Sequence, residues 1–282
     1  MFYIGGHVSA SGGLSKTIEN AEKIGANAIQ FFGSSPRQWR VTKHFGDDIA
    51  AFRLALKKSP IKQVFLHAPY LINLASPAED SRARSRNLLT DHFKIAEAIG
   101  AQGLIFHIGS RKGLSKEQAE KIIVRELRET LRGVSGKSFL VIENSAGGGE
   151  SVGSTLEEIA SIMKAVDSGR LMMCLDTAHA FESGMIPGYT EETVKELAGK
   201  IKKTVGFHRL VALHVNDSKT VFNSHHDRHE NIGKGYIGLE GFQALARHKI
   251  FKKKPWILEV PGFDGNGPDK KNVDILKSCF TS

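Results

Sequence analysis

Residues 115–144, "SKEQAEKIIVRELRETLRGVSGKSFLVIEN", decide the fold. Ser115 stands three residues ahead of Gln118, a capping-box pattern that marks the start of a helix. Apolar residues then recur at helical spacing through "AEKIIVRELRETL". "FLVIEN", from Phe139, is instead a short continuous apolar run. A strand of that kind is buried on both faces, as in a parallel sheet covered by helices.

The same unit recurs outward in both directions. Apolar, β-rich runs stand at "FYIGG" from Phe2, "AIQFF" from Ala28, "QVFLH" from Gln63 and "GLIFH" from Gly103. After Phe139 come "LMMCLD" from Leu171, "LVALHV" from Leu210 and "WILEV" from Trp256. Between the runs lie amphipathic stretches such as "GGLSKTIENAEKIGA" and "SRARSRNLLTDHFKIAEAIGA", in which "KIGA" and "AIGA" put glycine where a helix should end. Eight strands alternating with helices in 282 residues predict a closed (β/α)8 TIM barrel with its active site at the C-terminal rim of the strands. No linker or shift in composition divides the chain, so residues 1–282 are expected to form a single domain.

Composition narrows the function. Hydrophobic content of 40% and charged content of 24% describe a soluble globular protein. No run is long and apolar enough to suggest a membrane span. "MFYIGGHVSASGG" lacks the basic and apolar regions of a signal peptide. Two cysteines, Cys174 and Cys279, make no disulfide framework, so a reducing, cytoplasmic setting is expected. A net charge of +9 and a pI near 9.5 favour a polyanionic partner, nucleic acid first. The basic residues are scattered. "FKKKPW", at 251–256, is the densest run and is expected to be a solvated loop ahead of a strand rather than a reading head.

The ends of the strands carry the chemistry. The third run ends in His67, the fourth in His107, the fifth in Glu143 and the sixth in Asp176. The seventh ends near His214 and the eighth in Glu259. A barrel brings these ends to one rim. Carboxylates crowded there would repel one another and be driven to protonate, whereas bound cations relieve the repulsion and employ the histidines. Three more groups follow. His179 lies three residues after Asp176 in "CLDTAHAF", and Asp227 and His229 are separated by one residue in "HDRH". In an extended segment, residues two apart face the same way. This His, Asp and Glu set without thiolates suits zinc or manganese at a working site rather than a structural clip. Nine ligands suggest a cluster of two or three ions.

Along essentially its whole length the sequence resembles the endonuclease IV family of apurinic/apyrimidinic endonucleases. The resemblance rests on "HVSASGG" from His7, "RQW" from Arg37, "HAPYLINLA" from His67, "FHIGS" from Phe106 and "VIENSAGGG" from Val141. It continues through "CLDTAHAF" from Cys174, "HVNDSK" from His214, "DRHENIGKGYIG" from Asp227 and "LEVPG" from Leu258. Departures are few: Ile108 where proline is usual, Val260 where threonine is common, Met172 where glycine or arginine is usual, and Asn223 where glycine is usual. None removes an expected ligand.

The resemblance implies three zinc ions, with manganese an alternative at one position. His67, His107 and Glu143 would hold the first ion. Glu143 would bridge to a second held by Asp176, His214 and Glu259. His179, Asp227 and His229 would hold the third, and Glu143 would be the catalytic group that orients or deprotonates water. The implied partner is double-stranded DNA with abasic sites or blocked 3′ ends. It would be cut 5′ to the lesion to leave a 3′-hydroxyl and a 5′-deoxyribose phosphate, by a protein acting as a monomer. Arg37, Gln38, Tyr70 and Leu71 would enter the minor groove and the vacated stack. Trp39 is expected to anchor its loop in the core. His225 and His226 match no ligand position and are expected to face solvent. The competing reading is a sugar isomerase or epimerase of the same barrel type, which needs one ion on Glu143, Asp176, His214 and Glu259. It leaves five groups unexplained.

Overall fold

The computed structural model of the protein describes residues 2–41 and 46–281. Each apolar run becomes a strand: β1 (Ile4–His7), β2 (Ala28–Phe32), β3 (Gln63–His67), β4 (Gly103–Phe106), β5 (Phe139–Glu143), β6 (Leu171–Asp176) and β7 (Leu210–His214). Three more follow, β8 (Asp217–Ser218), β9 (His229–Glu230) and β10 (Trp256–Leu258). Among the described residues, eight parallel strands close into a barrel in the order β1-β10-β7-β6-β5-β4-β3-β2, and β1 pairs with β2 to seal it. The apolar runs hold no sign of β8 and β9, which form a separate antiparallel ribbon of two residues each.

The helices form for the reasons the sequence supplies. In Lys116–Arg132 the capping box is complete: the Gln118 amide donates to Ser115 Oγ and the Ser115 amide to Gln118 Oε1. Helix Glu79–Ile99 ends at Gly100, whose φ of 77° is left-handed and whose amide closes back on Ala96 and Glu97. A residue with a Cβ is strained in that conformation.

Two apolar layers flank the strands. The outer one joins strands to helices through residues such as Leu66, Leu104, Ile142 and Leu213. The inner one is small: Phe65, Ile105, Val141, Met172, Cys174, Ala212 and Ile257 fill the barrel axis. Side chains alternate across a strand, so the next inward position lies two residues further on. Those positions are His67, His107, Glu143, Asp176, His214 and Glu259. A register shift in the pairing of β6 with β7 keeps both strands in phase, since Cys174 then pairs with Ala212 and Asp176 with His214. The basic run at 251–256 lies ahead of β10, at the barrel's opposite end. It is no free loop: Phe251 is buried, the Lys254 ammonium donates to the Phe207 carbonyl, and Lys252 lies over the Phe2 ring.

Candidate metal centre

The inward positions above the apolar layer converge on Glu143, which is wholly buried. Its Oε2 lies 3.1 Å from His67 Nε2 and 3.4 Å from His107 Nε2. Its Oε1 lies 2.9 Å from His214 Nδ1 and 3.2 Å from His179 Nδ1. His214 Nδ1 is also 3.1 Å from Glu259 Oε2 and 3.9 Å from Asp176 Oδ2. On the far side, His179 Nε2 lies 3.3 Å from Asp227 Oδ2 and 3.3 Å from His229 Nε2. The nine residues singled out in the sequence therefore stand together at one mouth. Six come from strand ends, His179 from the short helix Thr177–Glu182, and Asp227 and His229 from beside or within the ribbon.

Hydrogen bonds fix which ring nitrogen each histidine turns inward. His67 Nδ1 donates to the Ala68 carbonyl at 2.7 Å, and His179 Nδ1 to the Asn144 carbonyl at 3.0 Å. His214 Nε2 donates to Gln30 Oε1 at 2.8 Å, and His229 Nδ1 to the Glu259 carbonyl at 3.3 Å. In each ring the other nitrogen faces carboxylates or a second histidine. Metal-binding histidines are oriented in this way, by an outer acceptor on the second ring nitrogen.

The donor set fits cations. Atoms held at about 2.0–2.1 Å around one tetrahedral zinc lie roughly 3.3 Å apart, and the contacts of Glu143 Oε2 and His179 Nε2 span 3.1–3.4 Å. The Nε2 atoms of His179 and His229, the ring nitrogens turned away from backbone carbonyls, stand 3.3 Å apart. That spacing also matches two ligands of one ion. Groups of His, Asp and Glu with ligand atoms within 4.8 Å recur around the mouth. They suit metal binding.

Electrostatics agree. Burial alone would raise the Glu143 carboxyl, but the imidazoles of His107 and His214 hold it well below the usual carboxylate range. Glu259 is held low against burial by His214. Burial disfavours charge on His179 and His214 too, yet neighbouring groups hold both well above ordinary histidine, Asp176 and Asp227 for His179, and Cys174, Glu143 and Glu259 for His214. Burying an ion costs several kcal/mol, whereas burying one apolar side chain returns about 1.5–3 kcal/mol. In all four groups the shift favours the charged form, so the opposite charges packed around the mouth outweigh the cost of burying it.

Several supporting residues escaped the sequence reading. Gln30 donates to Glu259 Oε1 at 2.7 Å besides accepting from His214. Its signal was a polar residue inside the apolar run "AIQFF". Asn144 and Asn216 bracket Asp176: the Asp176 amide donates to Asn144 Oδ1, and Asn216 Nδ2 donates to Asp176 Oδ2 at 2.6 Å. Asp217 accepts from the amides of Gly233, Gly235 and Ile237, which draws "NIGKGYIG" against β8.

The rim differs in one respect from expectation. Trp39 is 45% exposed and anchors nothing in the core, because its loop lies on the surface beside exposed Arg37 and Gln38. Tyr70 is 60% exposed with its ring edge-on to Phe32, while Leu71 is half-buried against the core. His226 is exposed. His225 is exposed as well, but it lines a cavity of about 220 Å³ together with His107, Ser145, His179 and Asp227. Cys174 and Cys279 are free and buried. No helix among the described residues is long and apolar enough to cross a membrane.

Comparison with known proteins places this geometry in a family. A family model described as a xylose isomerase-like TIM barrel matches residues 18–279. "Probable endonuclease 4" of Aquifex aeolicus is 37% identical over 283 residues, covering 99% of this chain and 98% of that protein. The crystal structure of endonuclease IV from Thermus thermophilus superposes with a TM-score of 0.86 at 30% identity, covering 99% of each chain. A D-tagatose 3-epimerase-like protein has a TM-score of 0.71 at 20% identity, covers 99% of this chain and 97% of its own, and shares the fold. The chain, with its full complement of strand-end and ribbon-borne groups, belongs to the endonuclease IV family of xylose isomerase-like TIM barrels.

Proposed function

We propose that the protein is a DNA-repair endonuclease that hydrolyses the phosphodiester bond 5′ to an abasic site and trims blocked 3′ ends, working as a monomer on duplex DNA. One observation carries the reading. Five groups beyond the Glu143, Asp176, His214 and Glu259 set, namely His67, His107, His179, Asp227 and His229, stand at ligand-type distances around the same mouth. A sugar isomerase does not need them all. The net charge of +9 also suits a polyanion better than a neutral sugar.

His67, His107 and Glu143 would hold one zinc, Glu143, Asp176, His214 and Glu259 a second, and His179, Asp227 and His229 a third. When bound, such ions supply a nucleophile from water near neutral pH and positive charge for the leaving oxygen. The chain's own part is positioning. Glu143, with one oxygen toward His67 and His107 and the other toward His214 and His179, is placed to orient the attacking water and accept its proton. Tyr70, upright on the rim, and Leu71 beneath it would occupy the gap left by the missing base. Arg37 and Gln38 would reach into the minor groove. An abasic nucleotide stacks poorly, so extruding it into the mouth costs less than flipping an intact one.

The test is incision of a duplex carrying one abasic site, with the ends of the products identified. A cut 5′ to the site leaving a 3′-hydroxyl, with the intact duplex untouched, is expected. Epimerisation of a free ketose without any incision would replace this reading with the isomerase one.

A further inference from the structure

Glu182 has no role in the ligand set above, and its surroundings give it one. It lies one helical turn after His179 on Thr177–Glu182, so both side chains share a face. It is fully buried. Its Oε1 is well served, accepting from Ser218 Oγ at 2.7 Å, Thr220 Oγ1 at 3.2 Å and the Arg228 amide at 3.3 Å. Its Oε2 is buried without a hydrogen-bond partner. Glu182, His179 and Asp227 also offer ligand atoms that all lie within 4.8 Å of one another.

A buried carboxylate oxygen left unpaired is costly, and no protein donor among the described residues relieves that cost. A cation shared with His179 and Asp227 does. We propose that Glu182 is a fourth protein ligand of the third metal position, beside His179, Asp227 and His229. This rests on the three-ion reading above. Four protein ligands still leave room for a substrate oxygen, since zinc accepts a fifth ligand. The same side chain joins the helix that carries His179 to the ribbon that carries Asp227 and His229, so one carboxylate sets both halves of the position.

The competing account is that Glu182 only clamps the ribbon, and two variants separate the roles. Glu182→Gln keeps an amide oxygen to accept from Ser218, Thr220 and Arg228 but loses the second carboxylate oxygen. Ser218→Ala with Thr220→Val loses the side-chain clamp but keeps the carboxylate. Zinc content and zinc release to a chromogenic chelator are measured on the full-length protein. The wild type is expected to hold three zinc ions. Glu182→Gln should lack one or release it at least tenfold faster, with the other two unaffected, while the double variant behaves like the wild type. Should Glu182→Gln fail to fold, Glu182→Asp, which draws the carboxylate back by one methylene, carries the same comparison. Unchanged content and release in the Glu182 variants would overturn the assignment, as would equal loss in the double variant. A wild type holding fewer than three ions would instead overturn the three-ion reading itself.

Discussion

The groups at the mouth come from two kinds of structure. Glu143, Asp176 and His214 are fully buried on the strands of a closed barrel, and His67 is nearly so. Asp227 and His229 are delivered by a ribbon whose strands are two residues each, and the Asp227 side chain is 60% exposed. The first set is held by neighbours on every side: Asn144 and Asn216 on Asp176, Gln30 on His214 and Glu259. The second set depends on the contacts of Asp217 and Glu182 with the loop that carries it. The difference teaches that one site can join a rigid half fixed by the fold with a half fixed by loop hydrogen bonds. Substitutions in the two halves should fail differently.

The largest expected effect is at the junction. Glu143→Gln keeps shape but removes the charge shared by the imidazoles. Turnover on abasic DNA should fall by at least about 10³-fold, near the upper part of the range for a lost acid–base group, with DNA binding largely kept. Turnover close to wild type would show that Glu143 neither bridges nor acts as base.

Next comes the contrast between the halves. Asp176→Ala strips a buried acid from the Asn216 side chain and the His179 amide, so it should lower both the melting temperature and the metal content. Asp227→Ala should lower metal content with turnover down by roughly 10²–10³-fold, the scale of a lost charge-stabilising group, while the melting temperature of the metal-free protein stays put. Equal effects of the two on metal-free stability would erase the distinction.

A milder effect is expected one layer out. Gln30→Ala frees His214 Nε2 and Glu259 Oε1 without touching a proposed ligand. Metal affinity should fall about 10–100-fold, as for other residues that orient metal ligands. Competition against a chelator of known affinity measures it, and an unchanged value would make Gln30 a mere filler of the barrel.

The smallest effect belongs to the rim. Arg37→Ala with Tyr70→Ala should leave metal content alone and weaken binding to abasic duplex by about tenfold more than to intact duplex, since stacking contacts are worth about 1–3 kcal/mol each. Equal losses on both duplexes would mean that these side chains only hold the backbone.

The same contrast explains what the sequence disclosed. Strands buried on both faces leave continuous apolar runs, and the inward groups follow the interior apolar residues at a spacing of two. Phe65 precedes His67 and Val141 precedes Glu143, so the eight strands and the six strand-end groups were legible. The first strand begins at Ile4 rather than Phe2, because Phe2 packs outside the barrel against Phe280. The ribbon was not legible, since two-residue strands make no periodic pattern. Glu182 escaped notice because its importance lies in contacts 36 to 46 residues away, with Ser218, Thr220 and Arg228. Trp39 was misplaced because a large aromatic side chain suggests a core position whether or not its loop offers one.

The most direct test of the central claim, that both halves make one metal cluster, is a zinc count on the purified protein and on His229→Asn. Three zinc ions per chain in the wild type and two in the variant, with both proteins folded, is the expected result. A single ion in both would contradict it, because the ribbon-borne half would then hold no metal at all.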